Sequence, residues 1–263
     1  SIGEDPMNDF SRSFEYNMQN NTENDILQLP EKIAIEKGIQ IVICIDEFQQ
    51  ISDFEDSKTF QKKLRSVWQL QQHVSYCLFG SKKHLMNELF EKKNLPFYKF
   101  GDAIYLAKIE TKYWIEYICK RFENTGKHIS PELAEEICRL VDNHSSYVQQ
   151  LSWLLWIRTI NTATTEQLSY ALEDLLDQNN ILFQSETENL SAYQMNFLKA
   201  IVDGIHTKFS SKEVISKYNL GTSANIVRLK NALLQKELIE TNGKEIVLAD
   251  PVFGVWFKKE MLY

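Results

Sequence analysis

Two adjacent carboxylates follow a short apolar run in the sequence. The run IVICI at residues 41–45 is followed directly by Asp46 and Glu47. Adjacent residues just beyond a strand point in different directions, so one carboxylate can hold a divalent metal ion through its water shell while the other activates a water molecule. The alternative is a strand that simply reaches the surface here, where carboxylates are solvated.

The elements around this pair follow an order typical of a doubly wound α/β fold. Residues 39–45 are apolar on both faces, as in a parallel strand covered by helices on each side. The helical spacing of residues 57–72 then leads into a second apolar strand, VSYCLFG, at residues 74–80. KKHLMNELFEKK predicts a further helix and DAIYLAKI, residues 102–109, a third strand.

A helix with a recognisable start and end is expected before the first strand. Pro30 is placed at a helix start and Gly38 at its end, which is the usual asymmetry of these two residues. A separate short helix is predicted from Phe10 to Met18.

After residue 109 the pattern changes to helices. Residues 110–187 predict a compact helical unit, with Ser130 as a helix cap and with Trp153 and Trp156 in its core. Residues 188–263 predict three helices followed by a hairpin, because Asn242-Gly243 separates two short β-prone runs. Three helices and a hairpin are typical of a winged helix, whose third helix enters a DNA groove when the fold binds DNA.

The end of the second strand offers a further candidate residue. Ser81 follows it directly, and ligands of parallel sheets bind outside the carboxyl ends of the strands. The hydroxyl of Ser81 could therefore lie near a phosphate group, or it could cap the helix that follows, and both roles are compatible.

Three segments resemble the archaeal-type ATPase family, in the AAA+ and STAND branch of the P-loop NTPases. They are IVICIDEFQQI, YCLFGSKKHLMNELF and PFYKFGDAIYLAKI. The resemblance implies a nucleotide-binding domain at residues 1–109, a helical lid at 110–187 and a winged helix at 188–263. It also implies that Asp46 is the Walker B aspartate, which holds Mg²⁺ through water, that Glu47 is the catalytic glutamate, and that Ser81 is the sensor.

The sequence departs from the family pattern at three places. No GxxxxGK[ST] motif occurs, so the loop that holds the phosphates is missing. The usual Tyr-Gly-Arg is replaced by Tyr98-Lys99-Phe100, where Lys99 could act on nucleotide as a point charge. The Gly-x-Pro expected in the lid falls at residues 143–145, Asn-His-Ser. Because roughly 70 residues would be needed ahead of Asp46 for the missing elements, we expect the chain to be a fragment. A degenerate member that never binds nucleotide is the alternative.

Charge is distributed unevenly along the chain. The net charge is −7, yet residues 191–263 hold 10 Lys+Arg against 7 Asp+Glu, a charge of +3, while the remainder holds 19 against 29, a charge of −10. A mildly basic tail suits a nucleic-acid contact, and it is also compatible with an ordinary solvated surface. If DNA is bound, Asn225 and Arg228 on the third helix and Lys244 in the wing are the candidate contacts.

Composition excludes several classes of protein. The sequence has no apolar run long enough to span a membrane and no signal peptide, so a cytoplasmic protein without membrane partners is expected. The four cysteines and five histidines show no spacing typical of a zinc site.

These observations favour an ATP-dependent molecular switch. In the parent chain, ATP and Mg²⁺ would be bound and hydrolysis would change what the winged helix binds, double-stranded DNA or a protein. The chain as given is expected to be inactive and to hold no nucleotide. The alternative is a non-enzymatic module for DNA binding or protein interaction on a degenerate NTPase scaffold.

Overall fold

The structure is a computed structural model that describes residues 22–261, apart from the side chains of Lys83 and His84. The chain divides between Tyr105 and Leu106 into two compact units. The helix predicted from Phe10 to Met18 lies outside the described residues. Within residues 22–261, no helix combines the length and the apolar character needed to cross a membrane.

The N-terminal unit alternates helices with strands in the predicted order. Its elements are α1 (Glu23–Lys37), β1 (Ile41–Ile45), a 3-10 turn (Phe48–Asp53), α2 (Ser57–Trp68), β2 (Val74–Leu78) and α3 (Lys83–Glu91).

Helix α1 begins earlier than predicted. The carboxylate of Asp25 accepts hydrogen bonds from the backbone N–H of Thr22 at 3.0 Å and from its hydroxyl at 2.6 Å, which fixes the first turn. Pro30 therefore lies inside the helix, without the hydrogen bond that an N–H there would give to the carbonyl of Ile26. The end is as predicted, because Gly38 closes α1 in the left-handed conformation at φ 63°.

The sheet of this unit consists of β1 and β2, paired in parallel from Ile41↔Val74 to Ile45↔Leu78. One face, which includes Ile43 and Tyr76, is partly buried. The opposite face is exposed, and Val42 on it is 65% exposed. The expectation that helices cover both faces is therefore wrong for the described residues.

The third strand predicted at residues 102–109 is also absent from the described chain. This segment has no regular structure, and Ile104 and Leu106 are 84% and 93% exposed. A strand exists only where a neighbour accepts and donates its backbone hydrogen bonds, and no strand is paired with this segment. The apolar pattern alone could not reveal whether that neighbour was present.

Aromatic side chains form the core of the N-terminal unit. Phe97 is fully buried and its ring meets that of Phe48 edge-on at 5.4 Å, while Trp68 stacks on Tyr76 at 4.1 Å. Phe48 is the second residue after Asp46, so this core fixes the chain immediately beyond the two carboxylates.

The C-terminal unit is helical apart from one hairpin. Its elements are α4 (Thr111–Glu123), α5 (Pro131–Leu140), α6 (Ser145–Arg158), α7 (Thr165–Glu188), α8 (Ala192–Val202), α9 (Lys212–Tyr218), α10 (Ser223–Gln235), β3 (Ile239–Asn242), β4 (Glu245–Leu248) and α11 (Pro251–Met261). Ser130 caps α5 as predicted, because its hydroxyl accepts the N–H of Leu133 at 3.2 Å.

Of the two tryptophans of α6, Trp153 differs from the prediction, whereas Trp156 packs against the core. Trp153 is 56% exposed and is not a core residue. Trp156 is partly buried, its indole N–H donates to the Thr125 hydroxyl at 2.8 Å, and the Lys127 ammonium lies 4.1 Å from its ring centre. The core of this region combines leucines such as Leu151 and Leu155 with aromatic and β-branched residues such as Trp114, Phe122 and Ile137.

The predicted winged-helix arrangement is confirmed. Helices α8, α9 and α10 precede an antiparallel hairpin in which Ile239 pairs with Leu248 and Asn242 with Glu245. Gly243 in its turn has φ 61°, which explains the glycine at this position.

A single carboxylate links α6 to the start of α11. The Tyr147 hydroxyl donates to Asp250, and Oδ1 of Asp250 accepts the backbone N–H groups of Val252 at 2.7 Å and Phe253 at 3.0 Å. A tyrosine phenol is protonated at neutral pH and can donate, and burial together with this hydrogen bond raises the pKa of Tyr147 further. The bond connects the helical part of the unit to the winged helix.

We expect Tyr147→Phe to lower the free energy of unfolding by about 1.5–3 kcal/mol, because it removes a buried hydrogen bond to a charged acceptor. Urea unfolding at neutral pH measures the effect. Tyr170→Phe is the matched control, since Tyr170 is 52% exposed and its hydroxyl reaches Glu166 only at 3.4 Å. If both variants lower the free energy of unfolding equally, the hydrogen bond from Tyr147 to Asp250 contributes no more to stability than the exposed contact of Tyr170.

Candidate functional site

Asp46 and Glu47 follow β1 directly and differ in exposure and in hydrogen-bond partners. The N–H of Glu47 donates to Oδ1 of Asp46 at 2.8 Å, and Asp46 is exposed. Glu47 itself has φ 49° and ψ 40°, the left-handed region that glycine prefers. A non-glycine residue held there costs on the order of 1–3 kcal/mol, and such strain is concentrated at functional sites.

Backbone hydrogen bonds hold the ends of the two strands together beyond the sheet proper. The N–H of Phe79 donates to the carbonyl of Ile45, and the N–H of Phe48 donates to the carbonyl of Phe79, both at 3.0 Å. The carboxyl ends of β1 and β2 therefore form one fixed edge, from which the side chains of residues 46, 47 and 81 extend.

The structure brings Ser81 and Glu47 together. The Ser81 hydroxyl donates to Oε1 of Glu47 at 3.0 Å. Ser81 does not cap α3, because Lys82 occupies the cap position and no side chain caps that helix. The capping role is therefore contradicted, and the role of Ser81 toward a phosphate group remains a prediction.

Gln49 is a member of this cluster that sequence reasoning missed. Its side-chain N–H donates to Oε2 of Glu47, so both carboxylate oxygens of Glu47 accept hydrogen bonds. Gln49 is 2% exposed, and its Oε1 has no hydrogen-bond partner among the described residues. A glutamine in a short turn reads as a surface residue. The only indication of its buried position in the sequence is the glycine at position 80, at the end of the neighbouring strand, which leaves space for another side chain.

Gly80 leaves room for Gln49. A Cβ at position 80 would overlap Oε1 of Gln49, and it would also lie 3.4 Å from Sδ of Met86. The absence of a side chain at position 80 thus allows Gln49 to reach Glu47.

The donor set at Asp46 suits Mg²⁺ bound through water. Oδ1 accepts the Glu47 N–H, which leaves Oδ2 available. Within residues 22–261 no three His, Cys, Asp or Glu side chains form a metal-binding group. Mg²⁺ is usually bound by one or two carboxylates with water and substrate phosphates, so one carboxylate beside a ligand site fits this ion.

Lys99 is not brought to the cluster by any described contact. It is exposed with φ 52°, its N–H donates to the carbonyl of Phe90 at 3.1 Å, and its ammonium lies 5.6 Å from the ring centre of Tyr98. Among the described residues it forms no hydrogen bond or ion pair with Asp46, Glu47 or Ser81. Its role toward nucleotide remains a prediction.

Asn143, which stands where the family pattern has glycine, keeps a backbone conformation suited to glycine. Asn143 has φ 53°, and asparagine tolerates this region better than most residues. Its side-chain amide pairs with the Thr111 hydroxyl at 3.0 Å. Nδ1 of the neighbouring His144 is buried without a hydrogen-bond partner in the described chain.

The candidate DNA contacts lie on α10 and in the hairpin turn. Ile226 and Leu229 are buried as expected, while Arg228 and Lys244 are exposed and form no ion pair with another described residue. Asn225 is partly buried, and its amide donates to the carbonyl of Leu220 at 3.0 Å, so it also stabilises the loop before the helix.

Comparisons with known proteins agree with this architecture. Residues 181–259 match the family described as a probable winged helix domain. The structure of the Walker-type ATPase PABY2304 of Pyrococcus abyssi aligns over 96% of this chain and 75% of its own, with a TM-score of 0.71 and 16% identity. The chain has the fold of this Walker-type ATPase. The resemblance drawn from the sequence motifs is thus confirmed at the level of the fold.

Other solved structures match less well. The ORC2 protein of Aeropyrum pernix aligns over 96% of this chain and 74% of its own, with a TM-score of 0.47 and 13% identity. RuvB of Thermotoga maritima aligns over 92% and 75%, with a TM-score of 0.44 and 13% identity. No curated protein sequence matches the chain significantly.

We expect Gly80→Ala to destabilise the protein by about 1–3 kcal/mol, because the added methyl group displaces Gln49 from a packed position. Gly101→Ala is the control, since a Cβ there meets no atom within 4 Å. In urea unfolding, the cost of Gly80→Ala should shrink when Gln49→Ala is already present. Additive effects of the two substitutions would contradict this packing relation.

Proposed function

We propose that Asp46, Glu47 and Ser81 form the hydrolytic part of a Mg-ATP site whose nucleotide state controls the winged helix. The supporting observation is the Glu47 carboxylate, held by Ser81 and Gln49 beside Asp46 at the carboxyl ends of two paired parallel strands. Ligands of open α/β sheets bind at this edge. The likeness in fold to a Walker-type ATPase is consistent with a nucleotide as the ligand.

Each residue of the cluster has a distinct role in this proposal. Asp46 would hold Mg²⁺ through the water shell of the ion, and Glu47 orients and deprotonates the attacking water. The metal ion neutralises charge on the phosphates when it is bound. Ser81 and Gln49 restrict the Glu47 side chain, which reduces the reorganisation required for proton transfer. Lys99 supplies positive charge toward the nucleotide.

In this proposal the phosphate-binding loop comes from a segment other than these 263 residues. No GxxxxGK[ST] occurs in the 263 residues, and the β- and γ-phosphates of such nucleotides are held by the backbone amides and lysine of that motif. We therefore propose that the 263 residues alone do not bind Mg-ATP. The active protein combines them with such a loop, and hydrolysis changes which partner the winged helix binds.

Two isosteric substitutions distinguish the roles of the two carboxylates. They are made in a protein that joins this sequence to a phosphate-binding loop. Glu47→Gln should still bind Mg-ATP, while single-turnover hydrolysis falls by roughly 10²–10⁴-fold, because the base is lost and the metal site remains. Asp46→Asn should instead weaken Mg-ATP binding itself.

The control for this experiment is Glu55→Gln, which changes an exposed carboxylate of the same unit. It should leave both binding and turnover unchanged. If Glu47→Gln hydrolyses ATP at the rate of the unmodified protein, then Glu47 has no part in the reaction and the strand simply reaches the surface at that point.

The winged helix supports a second candidate function, direct binding of double-stranded DNA without a requirement for nucleotide. The specific observation is that Arg228 and Lys244 are exposed on the third helix and the wing, with no ion pair to another described residue. Val227, next to Arg228 on α10, is 62% exposed. An exposed apolar side chain beside a charged one is also typical of a protein-binding surface.

Arg228→Ala and Lys244→Ala distinguish a DNA contact from a protein contact. If both residues bind phosphates, each change weakens DNA binding and lowers the slope of log affinity against log salt concentration by about 1. Lys236→Ala, at the far end of α10, should change neither quantity. Unaltered affinities at several salt concentrations in both variants would indicate a protein-binding surface.

A further inference from the structure

Two cysteines lie opposite each other in the parallel sheet. Cys44 on β1 and Cys77 on β2 are direct register partners, and both are exposed. Register partners in a parallel sheet project from the same face, here the one that also exposes Val42. The two thiols are therefore adjacent and open to solvent.

The other two cysteines have different surroundings. Cys119 is partly buried and Cys138 is fully buried in the core of the C-terminal unit. Burial raises the pKa of the Cys119 thiol and raises that of Cys138 to about 11. Because the thiolate is the reactive form, these two side chains serve as internal controls for the exposed pair.

We propose that Cys44 and Cys77 form a dithiol that small-molecule disulfides convert into an intramolecular disulfide. Neighbouring strands lie about 4.8 Å apart, and disulfide-bonded cysteines have Cα separations of roughly 4.4–6.8 Å. The register thus places the two Cα atoms within the range of disulfide-bonded cysteines, and both side chains project from the same face of the sheet.

The reaction is two successive thiol–disulfide exchanges with a disulfide RSSR, such as oxidised glutathione. One thiolate attacks a sulfur of RSSR, which forms a mixed disulfide and releases RS⁻. The other thiolate attacks the protein sulfur of that mixed disulfide and displaces the second RS⁻. The two cysteines lose two electrons and two protons, and RSSR is reduced to two molecules of RSH.

The position of the pair connects this chemistry to the candidate site. Cys44 precedes Asp46 by two residues, about 6.6 Å of extended chain, and Cys77 precedes Ser81 by four. A bond between the sulfur atoms would fix the separation of the strands from which Glu47 and Ser81 extend. Oxidation is therefore expected to act on the geometry of that strand edge.

The test uses the 263-residue chain with oxidised glutathione at mildly alkaline pH, followed by alkylation of free thiols and mass spectrometry. We expect the loss of two hydrogen masses and a cross-link between tryptic peptides 38–58 and 66–82, which contain Cys44 and Cys77. Cys119 and Cys138 should be recovered alkylated. The reaction is intramolecular, so the product should be monomeric on a non-reducing gel.

Single substitutions complete the test. Cys44→Ser and Cys77→Ser should each accumulate a stable glutathione adduct on the remaining thiol, whereas Cys119→Ser should form the cross-link like the unmodified chain. In the unmodified chain the second thiol should convert the glutathione adduct into the Cys44–Cys77 disulfide. This conversion should be at least about tenfold faster than the decay of the adduct in either variant, because the second thiol is held nearby.

Three results would overturn the proposal. They are persistent adducts on both Cys44 and Cys77 in the unmodified chain, a cross-link that includes Cys119 or Cys138, and a disulfide found only between two chains. All of these readouts follow thiol chemistry and none requires nucleotide, so this proposal and the proposed Mg-ATP site can fail independently.

Discussion

The parallel pairing of β1 with β2 is the constraint on which the candidate site depends. Glu47 and Ser81 are 34 residues apart, and they meet because the register aligns Ile45 with Leu78. A shift of that register by one residue would turn every side chain of one strand to the other face. The aromatic core around Phe48 and Phe97 covers one face and so stabilises the register that the site requires.

Sequence patterns predicted those parts of the structure that local chemistry decides. The positions of β1 and β2, the closing Gly38 of α1 and the Asn242-Gly243 hairpin each follow from a few adjacent residues. The position of Ser81 at the carboxyl end of the strand beside β1 was also predicted, because ligands of parallel sheets bind at that edge, whereas its hydrogen bond to Glu47 was not. The roles of Asp46, Glu47, Ser81, Lys99 and the α10 residues remain predictions, since they concern ligands.

What the sequence could not predict depends on contacts between distant segments. Residues 102–109 have the composition of a strand, yet no neighbouring strand pairs with them in the described chain. Trp153 is exposed because the buried positions of α6 are occupied by Tyr147, Val148, Leu151, Leu154 and Leu155. Gln49 was missed because its partners, Glu47 and the space above Gly80, are defined only once the strands have paired.

The space at Gly80 has a consequence for how sequences with this fold can diverge. Gln49 occupies the volume that a side chain at position 80 would need, so the two positions share one small compartment. If position 80 becomes alanine or serine, the side chain at position 49 must be shorter than glutamine, or it must move and lose its hydrogen bond to Glu47. Among homologues, the two positions should therefore vary together, and glycine at 80 should accompany glutamine at 49.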